Sequence, residues 1–230
     1  MRDRGLIASR PGGYAHGVTE RTTLIVAAGE VPIPAAWADQ ADLVIAADSG
    51  LANVMAHDVA ADLVIGDMDS VDPALLVAAE AAGTIIERHP VGKDESDLEL
   101  ALAAASKRGT GETFVVVRDG GRLDHAVANL AVLASPRWAA MKIDALVGTS
   151  RVWPIHGARS LPLDVGDHLS LHAVGGAAEG VTSTGVRYPL TGERLDPFGA
   201  RGIANIVDVA DPVVRVESGV VLAISSPTRH

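Results

Sequence analysis

The strongest constraint on the fold is an alternation of two kinds of segment between Thr23 and Val147. Short apolar runs rich in β-branched residues alternate with alanine-rich segments in which apolar residues recur at helical spacing. The predicted strands are Leu24–Ala27, Leu43–Ala46, Leu63–Gly66, Thr84–Glu87, Phe114–Val117 and Ile143–Val147. The predicted helices are Ser49–His57, Pro73–Ala82, Ser96–Arg108 and His125–Ala134. Continuous apolar strands that alternate with helices are typical of a parallel sheet covered by helices on both faces.

The helical pattern stops after about Val147. The predicted strands beyond it are Arg151–Trp153, His168–His172, Gly180–Thr184, Pro212–Val216 and Val220–Ile224. They are separated by Gly, Pro and Asp, and Glu217-Ser218-Gly219 is predicted to form a hairpin turn. We therefore predict a loose N-terminal extension over 1–23, an α/β domain over 24–150 and a smaller all-β domain over 151–230.

The composition excludes several classes of protein. Cysteine is absent, which excludes disulfides, thiolate zinc sites and cysteine nucleophiles. The formal net charge of −10 disfavours duplex DNA or an anionic membrane as the main partner. No apolar run approaches the length of a bilayer span, and the first 23 residues lack the apolar core of a secretory signal. A soluble, cytoplasmic protein is expected.

Acidic residues follow the predicted strands, where open parallel sheets bind their ligands. Asp48 follows the second strand, Asp67 and Asp69 follow the third, and Asp94 and Asp97 follow the fourth after a short loop. Clustered carboxylates repel one another unless a cation lies between them, and oxygen ligands without cysteine favour Mg²⁺. Since protein-bound Mg²⁺ commonly binds substrate phosphates as well, the pattern indicates a nucleotide or phosphate-ester enzyme. Each aspartate taken singly also fits a helix cap or a turn.

The segment Gly120–His125 follows the fifth strand and opens a helix. Its glycines allow close backbone approach, the helix N-terminus offers free N–H groups, and Arg122 can bind a phosphate bidentately. Lys93 is a second candidate cation for phosphates. Gly92-Lys93 is followed by Asp94, and no Gly-x-Gly-x-x-Gly follows the first strand. The chain is therefore neither a P-loop NTPase nor an ordinary dinucleotide-binding domain.

Two functions other than group transfer are also compatible with parts of the sequence. Asp67-Met68-Asp69-Ser70-Val71 resembles the nucleophile motif of haloacid-dehalogenase-type phosphatases. In that family the motif ends the first strand and a later acidic pair completes the metal site. Here it ends the third predicted strand, and no Asp-Asp doublet follows downstream. The other alternative is a non-catalytic nucleotide-binding module that has kept the scaffold.

Six segments, taken in order, resemble the thiamin pyrophosphokinase (thiamine diphosphokinase) family. They are Ala47–Gly50, Ile65–Ser70, Lys93–Glu99, Gly120–His125 with Asn129, Gly180–Leu190 and Arg201–Asn205. The resemblance covers roughly 24–226. It implies a Rossmann-like parallel-sheet catalytic domain that binds ATP, followed by a smaller all-β sandwich domain that binds thiamin, in a homodimer. It also implies Mg²⁺-dependent transfer of pyrophosphate from ATP to the hydroxyethyl group of thiamin, giving thiamin diphosphate and AMP. The net charge and the lack of a long apolar run predict no nucleic-acid or membrane partner.

The resemblance also implies roles for individual residues. The metal ligands it implies are Asp67, Asp69 and Asp97, with Asp48 beside them at the site of chemistry. The residues expected to contact ATP are Lys93, Asp94, Ser96, Arg122, Asp124 and His125. Those expected to form the thiamin pocket, with the partner subunit contributing, are Thr182, Thr184, Tyr188 and Asn205. Asp48 and Asp97 are both candidates to accept the proton of the attacking hydroxyl.

The sequence departs from the family pattern at three places. Ser49 replaces a glycine and Met68 replaces an aromatic residue, and both changes are mild. The third departure is Ala204-Asn205-Ile206, where the family has Ser-Asn-Glu. A hydroxyl and a carboxylate are thereby lost from the implied acceptor pocket. The same chemistry on another heterocyclic alcohol is therefore an alternative function.

Overall fold

The computed structural model describes residues 21–27, 31–118 and 122–227, so most of the predicted N-terminal extension lies outside the described residues. The first strand begins at Arg21, inside that predicted extension. The strands of the first half are β1 (Arg21–Ala27), β2 (Leu43–Ala47), β3 (Leu63–Gly66), β4 (Ile85–Arg88), β5 (Thr110–Val117) and β6 (Lys142–Val147). The helices are α1 (Ala35–Gln40), α2 (Gly50–Ala56), α3 (Pro73–Ala81), α4 (Asp97–Lys107) and α5 (Leu123–Leu133), with a 3₁₀ turn at Pro136–Trp138.

The second half contains only strands among the described residues. They are β7 (Ser150–Ile155), β8 (Ala158–Ser160), β9 (His168–Ala173), β10 (Ala178–Thr184), β11 (Thr191–Leu195), β12 (Asn205–Ile206), β13 (Val213–Arg215) and β14 (Val221–Ser225). The change from alternating strands and helices to strands alone therefore falls where the sequence predicts it. In the part of the chain that the structure describes, no helix has the length and apolar character needed to cross a membrane.

One large sheet has the strand order β12-β9-β14-β7-β6-β5-β1-β2-β3-β4. Strands β1 to β6 pair in parallel with one another, which confirms the predicted parallel sheet. The chain order runs outward from β1 to β4 on one side and from β5 to β6 on the other. The sheet therefore changes winding direction between β1 and β5, and such a switch point is where ligands bind in open α/β sheets.

The central parallel strands are apolar on both faces, and helices cover both, whereas the edge strand β4 is mostly exposed. Ile25 and Ile45 pack with Leu98 and Leu102 of α4 on one face. The alternate residues of the same strands, including Leu24 and Val44, pack on the other face with Leu51 of α2 and Leu76 of α3. Successive side chains of a strand point to opposite faces of the sheet. A strand that packs against helices on both faces must therefore be apolar at every position.

The second half divides its strands between two sheets. Strands β7, β14, β9 and β12 extend the large sheet in antiparallel pairing, beginning with a tight β6–β7 hairpin. The other four form a separate antiparallel sheet with the order β11-β10-β13-β8. The predicted hairpin at Glu217–Gly219 is wrong, because it connects β13 of the small sheet to β14 of the large one. At Gly219 φ is +85°, and a Cβ there would lie 2.5 Å from the Ala177 carbonyl oxygen, so this crossing requires glycine.

Candidate active site

Asp48 lies directly after β2, and the local backbone holds it at the edge of the sheet. Its φ is +48°, a left-handed conformation that aspartate tolerates better than most residues. Its N–H donates to the carbonyl of Ile65 on β3 at 2.9 Å. Gly50 then starts α2 so close to β1 that a Cβ would lie 2.0 Å from the Val26 carbonyl oxygen. The glycine thus lets the helix begin immediately beside the aspartate.

Asp67 and Asp69 follow β3 in a tight turn. Met68 between them has a φ of +65°, and the Asp69 N–H donates to Asp67 Oδ1 at 3.3 Å. Gly66 precedes the turn, and a Cβ there would meet Asp97 Oδ1 at 3.1 Å and the Asp48 Cβ at 3.2 Å. The missing side chain of Gly66 therefore lets carboxylates from three segments converge at this edge.

Three of these carboxylates form a group that fits a hard divalent cation. One carboxylate oxygen each from Asp48, Asp67 and Asp69 lies within 4.8 Å of the other two. Asp48 is only 9% exposed, and its Oδ1 accepts no hydrogen bond from the described residues. Burial raises the pKa of Asp48, and the charges of Asp97, Asp67 and Asp69 raise it further. An all-oxygen donor set with an unpartnered buried oxygen and mutual repulsion matches what Mg²⁺ requires.

The side chain of Lys93 places a positive charge of the protein beside the three-aspartate group. Its Nζ lies 2.9 Å from Asp97 Oδ1 and 3.2 Å from Asp67 Oδ2. Burial opposes the charge of Lys93, but the hydrogen bonds to Asp97 and Asp67 outweigh it and raise the pKa of the amine. The pKa of Asp67 is lowered by the Asp69 N–H and by Lys93. Asp97, which the family resemblance implies as a metal ligand, is therefore paired with Lys93 here and lies outside the three-aspartate group.

A cleft of about 520 Å³ opens at the switch point of the sheet, over the ends of β1, β2 and β5. The predicted site residues that line it are Asp48, Ser96, Asp97, Arg122 and His125. Ser96 caps α4: its Oγ accepts from the Glu99 N–H while the Glu99 carboxylate accepts from the Ser96 N–H. This capping box fixes the start of α4 and with it the position of Asp97.

Arg118 also lines the cleft, and the sequence reasoning missed it. It directly follows the last residue of β5, so the strand-end rule that identified the aspartates applies to it equally.

Three predicted ATP contacts, Lys93, Asp94 and Asp124, are not among the described lining residues. Asp124 accepts a bidentate pair from Arg122, at 2.7 Å to Nη2, and both side chains are exposed. This pairing lowers the pKa of Asp124 and raises that of Arg122.

The predicted thiamin-pocket residues lie in the second half of the chain, and none of them lines the cleft. Thr182 and Thr184 are on β10, where Thr182 Oγ1 accepts from the Gly192 N–H at 3.2 Å. Asn205 is 5% exposed, and its amide bonds to both backbone groups of Tyr188, at 3.0 Å and 2.7 Å. The side chain of Tyr188 is 61% exposed. Asn205 thus fixes the backbone that presents Tyr188 to solvent.

Two family models match consecutive parts of the chain. The model for "Thiamin pyrophosphokinase, catalytic domain" matches residues 35–145, and that for "Thiamin pyrophosphokinase, vitamin B1 binding domain" matches residues 159–221. The chain belongs to the thiamin pyrophosphokinase family. A curated relative, thiamine pyrophosphokinase 3 of Oryza sativa subsp. japonica, is 27% identical over 181 residues, which span 74% of this chain and 67% of the relative.

Solved structures of this family share the fold. Thiamine pyrophosphokinase from Bacillus subtilis superposes with a TM-score of 0.79 at 22% identity, covering 91% of this chain and all of that one. Thiamin pyrophosphokinase from Candida albicans superposes with a TM-score of 0.74 at 13% identity, covering 90% of each chain. A large mixed sheet accompanied by a separate antiparallel sheet is therefore retained at low sequence identity.

Proposed function

We propose that this chain is a thiamin pyrophosphokinase that transfers the terminal pyrophosphoryl group of ATP to the hydroxyethyl oxygen of thiamin, giving thiamin diphosphate and AMP. The observation that carries the proposal is the cleft at the switch point. Asp48, a member of the three-aspartate group that fits Mg²⁺, lines it together with Asp97 and with Arg118 and Arg122, which fit phosphate. Membership of the family supports the choice of reaction and acceptor. The curated relatives carry the same name.

We assign Mg²⁺ to Asp67 and Asp69, with Asp48 as the third donor that the geometry favours over Asp97. The ion would neutralise the charge of the transferred phosphates and orient them. Lys93 holds Asp97 and Asp67 in place beside that site. The hydroxyl oxygen of thiamin bonds to the β-phosphorus of ATP. The bond from that phosphorus to the oxygen that bridges it to the α-phosphorus breaks, and its electron pair stays on AMP. Asp48 and Asp97 are the carboxylates available to accept the hydroxyl proton.

The finer architecture belongs to the same proposal. We assign nucleotide binding to a Rossmann-like unit over 24–150 and thiamin binding to a β-sandwich over 151–230. Buried residues from both sheets of the second half, among them Trp153, Leu171 and Val181, pack in one cluster, which supports a sandwich. We also propose a cytoplasmic homodimer. The cleft is not lined by Thr182, Thr184, Tyr188 or Asn205 of the same chain, which supports a thiamin pocket completed by a partner subunit.

The first test is analysis of the nucleotide product. Purified protein with Mg²⁺, ATP and thiamin is expected to form AMP, with no AMP in the absence of thiamin. The Asp69→Asn variant is expected to lose at least about 100-fold in kcat while keeping its circular dichroism spectrum, because it removes the negative charge of an exposed metal donor without disturbing the core. Formation of ADP instead of AMP would contradict pyrophosphoryl transfer.

A second candidate is the same transfer to a different heterocyclic alcohol. Ala204 and Ile206 carry no hydroxyl or carboxylate, and the Asn205 amide between them is engaged by backbone groups. This function predicts normal ATP binding, poor turnover of thiamin and AMP formation with another alcohol in a screen. Thiamin-dependent AMP at an ordinary rate would rule it out and identify the two substitutions as tolerated.

A further inference from the structure

The walls of the cleft carry opposite charges. Asp48 and Asp97 lie on the side formed by the end of β2 and the start of α4. Arg118 and Arg122 lie on the side formed by the end of β5 and the start of α5. Strand β1 separates β2 from β5, so the ends of those two strands are about 10 Å apart, at roughly 4.8 Å per strand spacing.

The cations near the cleft differ in how they are paired. Lys93 is bound by Asp97 and Asp67, and Arg122 is bound by Asp124. Arg118 makes no ion pair or side-chain hydrogen bond with any of the residues that the structure describes. It is exposed, so its guanidinium donors lie where a ligand in the cleft can reach them. A phosphate matches the planar fork of such a guanidinium.

We propose that Arg118 binds the phosphate group that stays with AMP, an inference that rests on the proposed function. Asp48, Asp67 and Asp69 would hold a cation that binds the transferred phosphates, and the wall with Arg118 would then face the part of the nucleotide that leaves. When the bond to the β-phosphorus breaks, its electron pair remains on an oxygen of the AMP phosphate. The guanidinium of Arg118 stabilises the negative charge that develops there. Arg118 thereby acts on the leaving group, whereas the aspartates act on the transferred group.

The test compares binding of AMP with binding of inorganic pyrophosphate, each measured by titration calorimetry in the presence of Mg²⁺. Arg118→Gln is expected to weaken AMP binding by about tenfold or more, the effect of losing one charge-assisted contact, and to leave pyrophosphate binding within about twofold. The AMP affinity of Arg118→Lys is expected to lie between those of the wild type and Arg118→Gln, because lysine keeps the charge but lacks the planar guanidinium that binds a phosphate with two hydrogen bonds. The matched control is Lys107→Gln, which removes an exposed charge at the far end of α4, about 15 Å from Asp97.

Unchanged AMP binding in Arg118→Gln, or failure of the wild-type chain to bind AMP, would overturn the inference. An equal or larger loss of pyrophosphate binding would overturn it too, because it would put Arg118 on the transferred phosphates. The product analysis of the wild-type chain tests the proposed function separately. If that analysis yields no AMP while AMP binding still depends on Arg118, the proposed reaction fails and the phosphate site remains.

Discussion

At the scale of single residues, the position of Asp48 is unfavourable for a charged carboxylate in the metal-free protein. It is nearly buried, adopts a left-handed backbone conformation and faces three other carboxylates. Burial and that repulsion raise its pKa, so the ionised form is less favourable in the folded chain than in the unfolded one. The destabilisation develops as the pH rises from the unfolded-state pKa through the folded-state pKa, and it is absent below both. A bound cation would remove it.

We predict that Asp48→Asn stabilises the metal-free protein at neutral pH while it abolishes activity. Asparagine tolerates the left-handed conformation and removes the charge, so Tm at pH 7 is expected to rise by about 2–4 °C and to be unchanged near pH 3. Scanning calorimetry of metal-free protein at both pH values measures this. Asp58→Asn is the matched control, because Asp58 is exposed and has a similar φ of +56°. A lower Tm at pH 7 in Asp48→Asn would refute the electrostatic account.

Asn205 is predicted to act on the acceptor pocket through Tyr188. Asn205→Ala leaves the N–H and carbonyl of Tyr188 without their side-chain partner, at an expected cost of about 1–3 kcal/mol in the free energy of unfolding. The KM for thiamin is expected to rise while the KM for ATP stays the same. Urea unfolding and steady-state kinetics measure the two effects. Tyr188→Ala is the comparison, since truncating an exposed ring should raise the KM for thiamin with little change in stability. An equal rise in both KM values would argue against this role.

At the scale of elements, the packing of α2 on β1 depends on Gly50, although glycine has a low intrinsic preference for helices. Alanine is a better helix former than glycine, so helix propensity alone would make Gly50→Ala stabilising. The added Cβ would lie 2.0 Å from the Val26 carbonyl oxygen, and backbone cannot move aside as a flexible side chain can. The contact between elements therefore outweighs the propensity.

We predict that Gly50→Ala destabilises the protein by about 3 kcal/mol, as expected for overpacking against backbone. Urea unfolding measures the loss, and the variant should also weaken Mg²⁺ binding because α2 begins beside Asp48. Gly176→Ala is the control, since nothing lies within 4 Å of the position its Cβ would take. Its expected change is within about 0.5 kcal/mol. Similar stabilities of the two variants would contradict the role given to Gly50.

The elements missed by the sequence reasoning share one property. Helix α1 has six residues, none of them buried, and β8, β11 and β12 have three, five and two residues. These elements show no hydrophobic pattern of their own: β11 buries only its last residue, Leu195, and β12 exists only because Asn205 and Ile206 pair with β9. The long buried strands and α4 were predictable because their pattern is local.

At the scale of the whole molecule, the two halves share structure across the predicted boundary at 150. Val152, Val220 and Leu222 of the second half are buried in the same cluster as Ile25 and the helix α4 residues. Buried Asp144 of β6 also bonds to Trp153 of β7 and to Arg159 of β8. The ion pair with Arg159 has 10% exposure on each side, so removing one partner would leave a buried charge.

We therefore predict that the chain unfolds in one cooperative transition. Urea curves from tryptophan fluorescence and from far-ultraviolet circular dichroism are expected to coincide. A fragment of residues 21–150 is expected not to fold stably, because it exposes the edge of β6 and loses part of the shared core. Two separated transitions, or a soluble fragment with a sharp thermal transition, would instead support two independent folding units.

The sequence alone determined the nature of the longer elements and the placement of Asp48, Asp67 and Asp69 at strand ends, because hydrophobic period and chain position are local properties. The tertiary structure alone decided that β5 lies beside β1, that β7, β9 and β14 join the large sheet, and that Glu217–Gly219 crosses between sheets. It also decided that Lys93 lies against Asp67, 26 residues away in the sequence, and that Arg118 stays unpaired among the described residues. These depend on distances between side chains remote in sequence, which are set only when the strands pair and the helices pack.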